Sequence, residues 1–456
     1  MKRQKVDFLI RYEHKVRELE SIMLIRTELE RRGYTVAFVC NYEIFDAEQT
    51  HYDPTVVVSP AIYGDDNIIG EIVKYRFNRK FANLLWEQLI GVVDEEDPHC
   101  THNVTGTGQK AITFCWGKQT HDRIVRGGVP AEKAKIVGQL NLDLLRPAFR
   151  NTLLSKAELA RRFNLDIDKR WMLFISSFAY CELDSIQQRL VIEALGEDYV
   201  KQFTQLSHNS RDEILRWFEA ALTNHPNDII IYRPHPDEAR KSQVLKDMEA
   251  KYPNFRVISD LALKHWMNAS DKVYNWYSTG LVDVTVLGKP FRLLRPCHID
   301  RRFDYRIYLD AEKITTQEDF LNDYDDMTCR KVLNDEVFNS YYYIPKTFTY
   351  MEVCDILENM YKTDKYDMHF SFADYLKFAK VIIGELKGKI AKPMIPILIH
   401  IPGFDGKLRA RMEGRKTYAE TIRSGRDKNV ATEQDIREVY DRIKPVIYGQ
   451  QVQETC

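Results

Sequence analysis

The chain has 456 residues, 44 % hydrophobic and 12 % aromatic, long enough for two or three domains with sizeable cores. Its 66 basic and 67 acidic residues nearly cancel, which excludes a global electrostatic footprint for nucleic acid; any anion must be bound locally. Eight scattered cysteines (Cys40, Cys100, Cys115, Cys181, Cys297, Cys329, Cys354 and Cys456), with no Cys-x-x-Cys pair and no tight Cys/His cluster, point to reduced thiols in a cytoplasm and away from a zinc site.

The N-terminal MKRQKVDFLIRYEHK returns to charge after a few apolar residues, too few for a signal peptide. No window approaches the roughly 18 to 20 apolar residues of a spanning helix. The run VDFLIRY predicts a strand, and KVRELESIMLIRTELERRG an amphipathic helix through Val16, Leu19, Ile22, Met23 and Leu29 that stops at Gly33. Strands YTVAFVC and PTVVVSP follow, then a helix-like FNRKFANLLWEQL, a strand IGVVDEE, and KAITFCWG leading into the helix KQTHDRIVRGG. AKIVGQLNLDLLRP reads as the last strand of this unit and its exit.

Near residue 150 the pattern restarts, after the polar helical stretch SKAELARRFNLDIDK. RWMLFISSF is a strand ending in a serine pair, SRDEILRWFEAALTNHP a helix, DIIIYRP a strand, and FRVISD, DKVYNWYS and PFRLLRP continue the series. Strands alternating with helices indicate parallel sheets covered on both faces, hence two doubly wound α/β domains, at 1–150 and 151–310. Residues 311–456 read as a helical and irregular extension that includes the aromatic connection SYYYIPKTFTY. Within it, 377–428 is rich in lysine and arginine and contains the proline-broken apolar PMIPILIHIPGF. Such a segment suits either an interfacial contact with a membrane or a solvated wrap over the domains.

In open α/β sheets ligands sit beyond the carboxyl ends of the strands, and the polar motifs fall there. IIIYRPHP delivers Arg233 and His235, with Pro234 and Pro236 fixing φ on either side of the imidazole. NWYSTGLVDVTVLGKP ends a strand in Ser278, Thr279 and Gly280 and opens a helix carrying Asp283 in its first turn. Hydroxyls and free N–H groups at that turn suit a phosphate, and the carboxylate one turn in suits ribose hydroxyls. Together they describe a nucleotide mono- or diphosphate. Asp65-Asp66 and Asp325-Asp326 read as loop acids, and no metal site stands out.

YRPHP followed about forty residues later by NWYSTGLVDVTVLGKP resembles the donor-binding half of GT-B glycosyltransferases, in particular bacterial surface-carbohydrate proteins related to CDP-glycerol glycerophosphotransferases and to His-Pro-motif Kdo transferases and sialyltransferases. RYEHKVRELESIMLIRTELERRGY and FCWGKQTHDRIVRGGVPAEKAKIVGQLNLDLLRP carry the same likeness. The resemblance implies a GT-B fold, two Rossmann-like domains facing across a cleft, with Arg233, His235, Pro236, Ser278, Thr279, Gly280 and Asp283 on the donor; the spacing of Asp283 and Gly288 matches the family's ribose-binding acid.

The family's acid-acid-Gly base motif is replaced here by VVDEEDPHC, in which Asp97 and Pro98 stand where the glycine would be. Glu95 and Glu96 are therefore candidate bases, expected at the end of a first-domain strand. Glu13 and His14, after the first strand, compete, with Glu13 and Arg17 expected on the acceptor. The implied activity is metal-independent transfer of a sugar from a nucleotide donor, cytidine favoured and CMP- or CDP-linked, to a glycan or lipid-linked glycan, with no separate cofactor. A CDP-glycerol-type polyol-phosphate transferase, a nucleotide-sugar epimerase or hydrolase, and a catalytically silent capsule-assembly scaffold are the alternatives. The expected location is the cytoplasm or the inner face of the membrane.

Overall fold

Two six-stranded, wholly parallel sheets organise the chain. The computed structural model describes residues 3–43, 51–97, 99–100, 102–235, 238, 242–398, 426 and 428–449. It divides into a first unit of Met1–Gln88, Asp97–Leu140 and Ser340–Cys456, and a second of Leu89–Glu96 and Asn141–Asn339. The two Rossmann-like α/β units expected from the alternating pattern are thus present. The extension expected over 311–456 is not one body: residues up to Asn339 group with the second unit and those from Ser340 with the first.

In the first unit the strands are β1 (Gln4–Tyr12), β2 (Val36–Cys40), β3 (Tyr52–Ser59), β4 (Phe81–Asn83), β5 (Ile112–Cys115) and β6 (Ala134–Ile136), in the order β2-β1-β3-β4-β5-β6. β1 is central because Phe8 to Ile10 are apolar on both faces and fully buried; Phe8 lies opposite Val36 on one side and Val56 on the other. The chain winds from β1 out to β2, then returns to start β3 on the opposite flank, so the switch point lies between β1 and β3.

In the second unit β7 (Trp171–Ile175), β8 (Ile229–Arg233), β9 (Phe255–Val257), β10 (Lys272–Asn275), β11 (Phe291–Leu294) and β12 (Lys313–Ile314) take the order β12-β11-β10-β7-β8-β9. Its switch point lies between β7 and β10. An aromatic core that includes Phe178, Trp217, Phe218, Tyr232, Trp276 and Phe320 packs there.

Two expectations along the first half are corrected. FNRKFANLLWEQL is not a helix: the helix Asp65–Lys74 ends, Arg76 and Phe77 take left-handed backbone at φ 57° and 61°, and the chain re-enters the sheet as β4. Asn83 then fixes the exit, its Oδ1 accepting from the N–H groups of Ile62 (2.9 Å) and Leu85 (3.1 Å) while its Nδ2 donates to the Ile62 carbonyl (2.9 Å). IGVVDEE is not a strand; Val92–Glu96 forms a short helix in the second unit.

Described segments after Ser340 complete the first unit. Phe378, on the helix Phe372–Leu398, enters its core beside Ile68, Ile72 and Tyr75, and the helix Glu433–Gly449 packs on the helix Lys15–Arg31. The aromatic connection docks beyond β5: Trp116 stacks on Tyr342 at 5.8 Å, and the Tyr343 N–H donates to the Trp116 carbonyl at 2.7 Å. Gly138, at φ +94°, lies so close to the Tyr343 carbonyl that a Cβ there would overlap it.

Candidate functional site

At the switch point of the second unit the chain leaves β10 through Asn275, whose buried amide shapes the next three residues. Its Oδ1 accepts from the Ser278 N–H at 2.8 Å, and its Nδ2 donates to the Ser278 carbonyl at 2.5 Å and the Tyr308 hydroxyl at 3.2 Å. The Ser278 hydroxyl accepts from the Gly280 N–H at 3.2 Å, a bond that leaves its own proton to donate outward. Thr279 is exposed at the tip. A Cβ at Gly280 would meet Leu263 Cδ2 at 3.1 Å and Ile175 Cδ1 at 3.4 Å, so the helix Leu281–Leu287 sits close against the end of β7. The Ser-Thr-Gly turn is thus held by a residue the sequence reading passed over, although Asn275 stands in the quoted motif.

Asp283 follows in the first turn, half-buried, accepting from Asn141 Nδ2 at 3.0 Å. Burial pushes its carboxyl up to about 6 against the opposing pull of Lys264 and Asn141. Arg295, immediately after β11, is a second residue the motif reading did not single out. It is buried, pairs with Asp304 at 3.1 Å and lies over the Tyr308 ring at 4.8 Å, while its Nε and Nη1 meet no hydrogen-bond partner among the described residues.

β7 and β8 end in a buried hydroxyl–carboxylate network. Glu238 accepts from the Ser176 hydroxyl (2.5 Å), the Tyr232 hydroxyl (2.6 Å) and the His235 N–H (3.3 Å), and Tyr232 also bonds Ser176 at 3.0 Å. Burial raises the Glu238 carboxyl above its ordinary value. Through the His235 N–H this network anchors the turn that carries His235; Pro236 lies outside the described residues. Arg233 has a different task from the one expected. Its guanidinium donates to the carbonyls of Ile258 (3.1 Å), Asp260 (2.5 Å) and Leu261 (2.7 Å), fastening the loop after β9, and burial lowers it to about 10.

At the switch point of the first unit, β1 ends in Glu13 and His14, and the helix Lys15–Arg31 begins. Arg17 donates to Glu18 at 2.7 Å and to Glu87 at 3.0 Å, and Glu18 accepts from the Glu13 N–H at 2.8 Å. Burial raises Glu18 despite Arg17 beside it. The His14 ring is partly exposed, with Nε2 3.7 Å from Glu13 and Nδ1 3.4 Å from the Asn429 side-chain oxygen. The Tyr63 hydroxyl, buried beyond β3, has no hydrogen-bond partner among the described residues. His14, Glu13 and Arg17 are therefore brought together, with Glu18, Glu87 and Tyr63 as members the sequence reading missed.

The acids Glu95 and Glu96 are elsewhere. Glu96 is held by Arg301 at 2.6 Å and approached by Arg306 at 3.7 Å, and the hydrogen bonds from Arg301 lower its carboxyl; Glu95 is buried. The other acid pairs are accounted for locally. Asp65 accepts from the Thr107 N–H and pairs with Lys377, Asp325 pairs with Arg170, and Asp326 with Arg292 and Arg330. Among the described residues no group of three or more His, Cys, Asp or Glu is placed to hold a metal ion, and the seven described cysteines are free thiols.

No family model and no curated protein matches the chain. Solved structures of similar form include two classes of carbohydrate enzyme. One is the UDP-GlcNAc 2-epimerase of Methanocaldococcus jannaschii in complex with UDP-GlcNAc and UDP, 12 % identical over 78 % of this chain and 100 % of that chain, TM-score 0.45. Another of similar form is Staphylococcus aureus MnaA with UDP, 10 % identical over 81 % of this chain and 100 % of that one, TM-score 0.47. The second class is represented by a variant of the wall teichoic acid polymerase TagF, 10 % identical over 78 % of this chain and 89 % of that chain, TM-score 0.47.

Proposed function

We propose that the chain is a GT-B-type transferase of cell-surface polysaccharide assembly that moves a sugar from a nucleotide-activated donor, cytidine favoured, to a glycan or lipid-linked glycan acceptor. The observation that carries this reading is the placement of two chemically different residue sets at the two sheet switch points, where open α/β sheets bind ligands. The second unit would offer a phosphate the Ser278 hydroxyl, the Thr279 N–H and the His235 imidazole, with Asp283 for the ribose, the N–H groups of Ser278 and Gly280 being used within the turn. The first unit offers a titratable cluster around His14, Glu13 and Arg17.

In the reaction the acceptor hydroxyl oxygen bonds to the anomeric carbon as the bond from that carbon to the donor phosphate breaks. The electron pair leaves with the nucleotide, whose charge the 278–280 turn and His235 stabilise without a metal. The acceptor proton passes to a base, for which His14 is the favoured group because Glu96 is already neutralised by arginines.

A thermal-shift panel of CMP, CDP, UDP, GDP and ADP tests the donor half, since a ligand that binds only the native state raises its apparent stability. Stabilisation by a cytidine nucleotide, with donor consumption that requires added glycan, is the expected result. Release of free sugar without acceptor would replace this reading by an epimerase or hydrolase, and no nucleotide response at all would end it.

A further inference from the structure

The helix Phe372–Leu398 presents an apolar stripe on the side opposite its docked face. It buries Asp374 and Phe378 against the first unit, and Phe370 and Val381 pack on the same core. Away from that contact, Phe372 is 79 % exposed, Tyr375 46 %, Leu376 52 %, Ile383 50 % and Leu386 53 %. At 3.6 residues per turn these five positions fall within an arc of about 100°, a coherent stripe and not scattered surface residues.

Charge decides what covers it. The helix carries Lys377, Lys380, Lys387, Lys389 and Lys392 against Asp374 and Glu385. Asp374 is consumed by Lys110 at 2.5 Å and by Ser371, and Lys377 pairs with Asp65 at 2.7 Å. Two copies paired through the stripe would bring two lysine-rich segments together, and the exposed Lys380 flanks the stripe, which penalises a self-paired helix. A polyanionic surface takes both features, burying the apolar face and attracting the lysines. No helix among the described residues is long and apolar enough to cross a membrane, so the contact is lateral.

We infer that the 372–386 face of this helix seats the protein on an anionic lipid surface, with Leu376, Ile383 and Leu386 inserted at the headgroup boundary. The inference stands whether or not the chain transfers a sugar.

Flotation of the full chain with phosphatidylcholine vesicles, with and without phosphatidylglycerol, at low and high salt, tests it. The expected result is co-flotation with the anionic vesicles alone, lost at high salt. Leu376→Ser/Ile383→Ser/Leu386→Ser should lower binding by more than about tenfold. Lys380→Glu should lower it about fivefold or more. These positions are exposed and the changes should leave the melting temperature unchanged. Amide exchange over 372–386 should slow when vesicles are added. Absence of flotation at low salt, or flotation with unchanged exchange over 372–386, overturns the inference. So does a concentration-dependent dimer abolished by the triple serine variant, which would make this face a contact between copies.

Discussion

The two switch points differ in kind. That of the second unit is held chiefly by amides and hydroxyls bonded to one another and to a buried carboxylate, Asn275 to Ser278, and Ser176 and Tyr232 to Glu238, with Asp283 and Arg295 as charged neighbours. That of the first unit is built from partly exposed polar side chains, Glu13, His14, Arg17 and Glu87, around the buried Glu18. The same topology thus ends in a turn fixed by internal hydrogen bonds in one unit and in a partly exposed polar cluster in the other; under the proposed function the first would hold the donor phosphate and the second would take the acceptor proton.

The sharpest way to break that contrast is to remove the candidate base. His14→Ala should lower turnover by about 10²- to 10⁴-fold while leaving the nucleotide-induced melting shift intact. Glu96→Gln should retain near wild-type turnover, because its carboxylate serves Arg301. Loss of turnover in Glu95→Gln or Glu96→Gln, with His14→Ala active, would move the base to the 92–96 helix and dissolve the contrast.

Next in size are the donor-side changes. Ser278→Ala and His235→Ala should each cost roughly 1.5 to 3 kcal/mol of nucleotide binding with turnover falling in parallel. Asn275→Ala removes the partner of a backbone N–H and a carbonyl, so it should lose about 1 to 3 kcal/mol of stability together with affinity. If isothermal titration shows unchanged affinity in all three folded variants, the turn is only a helix cap.

The fold was legible where apolar runs were long. VDFLIRY, DIIIYRP and RWMLFISSF are strands because a central parallel strand is apolar on both faces, and no helix of that length would be. It was illegible at FANLLWEQL and IGVVDEE, where three-residue β4 is decided by Asn83 and by left-handed residues whose signal is tertiary. The placement of the candidate site residues was legible to the same extent. Ser278, Gly280 and His235 could be placed at strand ends from the pattern alone. The supports Asn275, Glu238 and Ser176 could not, since their roles depend on which strands are neighbours. Arg233 shows the converse: a cation at a strand end reads as an anion ligand until the carbonyls of the next loop are seen to occupy it.

The smallest expected effect tests whether burial governs the charge of Asp283 at the second switch point. Asp283 titrates near 6 in the folded chain against an ordinary value of 3.8, because burial disfavours its charge. Between those two values the folded state binds the proton more tightly than the unfolded state. Stability from this group is therefore fully present below about 3.8, declines as pH rises through the window, and levels off above about 6. Asp283→Asn removes the titration. Its melting temperature relative to wild type should rise steadily across the window and stay higher at neutral pH, where the wild-type carboxylate is charged and half-buried. Nucleotide affinity should move the opposite way, weaker in Asp283→Asn and increasing with pH only in the wild type, if the ionised carboxylate takes the ribose hydroxyls. A melting difference that is flat across the window would make Asp283 an ordinary solvated acid. A stability change without an affinity change would leave the carboxylate as a partner of Asn141 and remove it from the donor site.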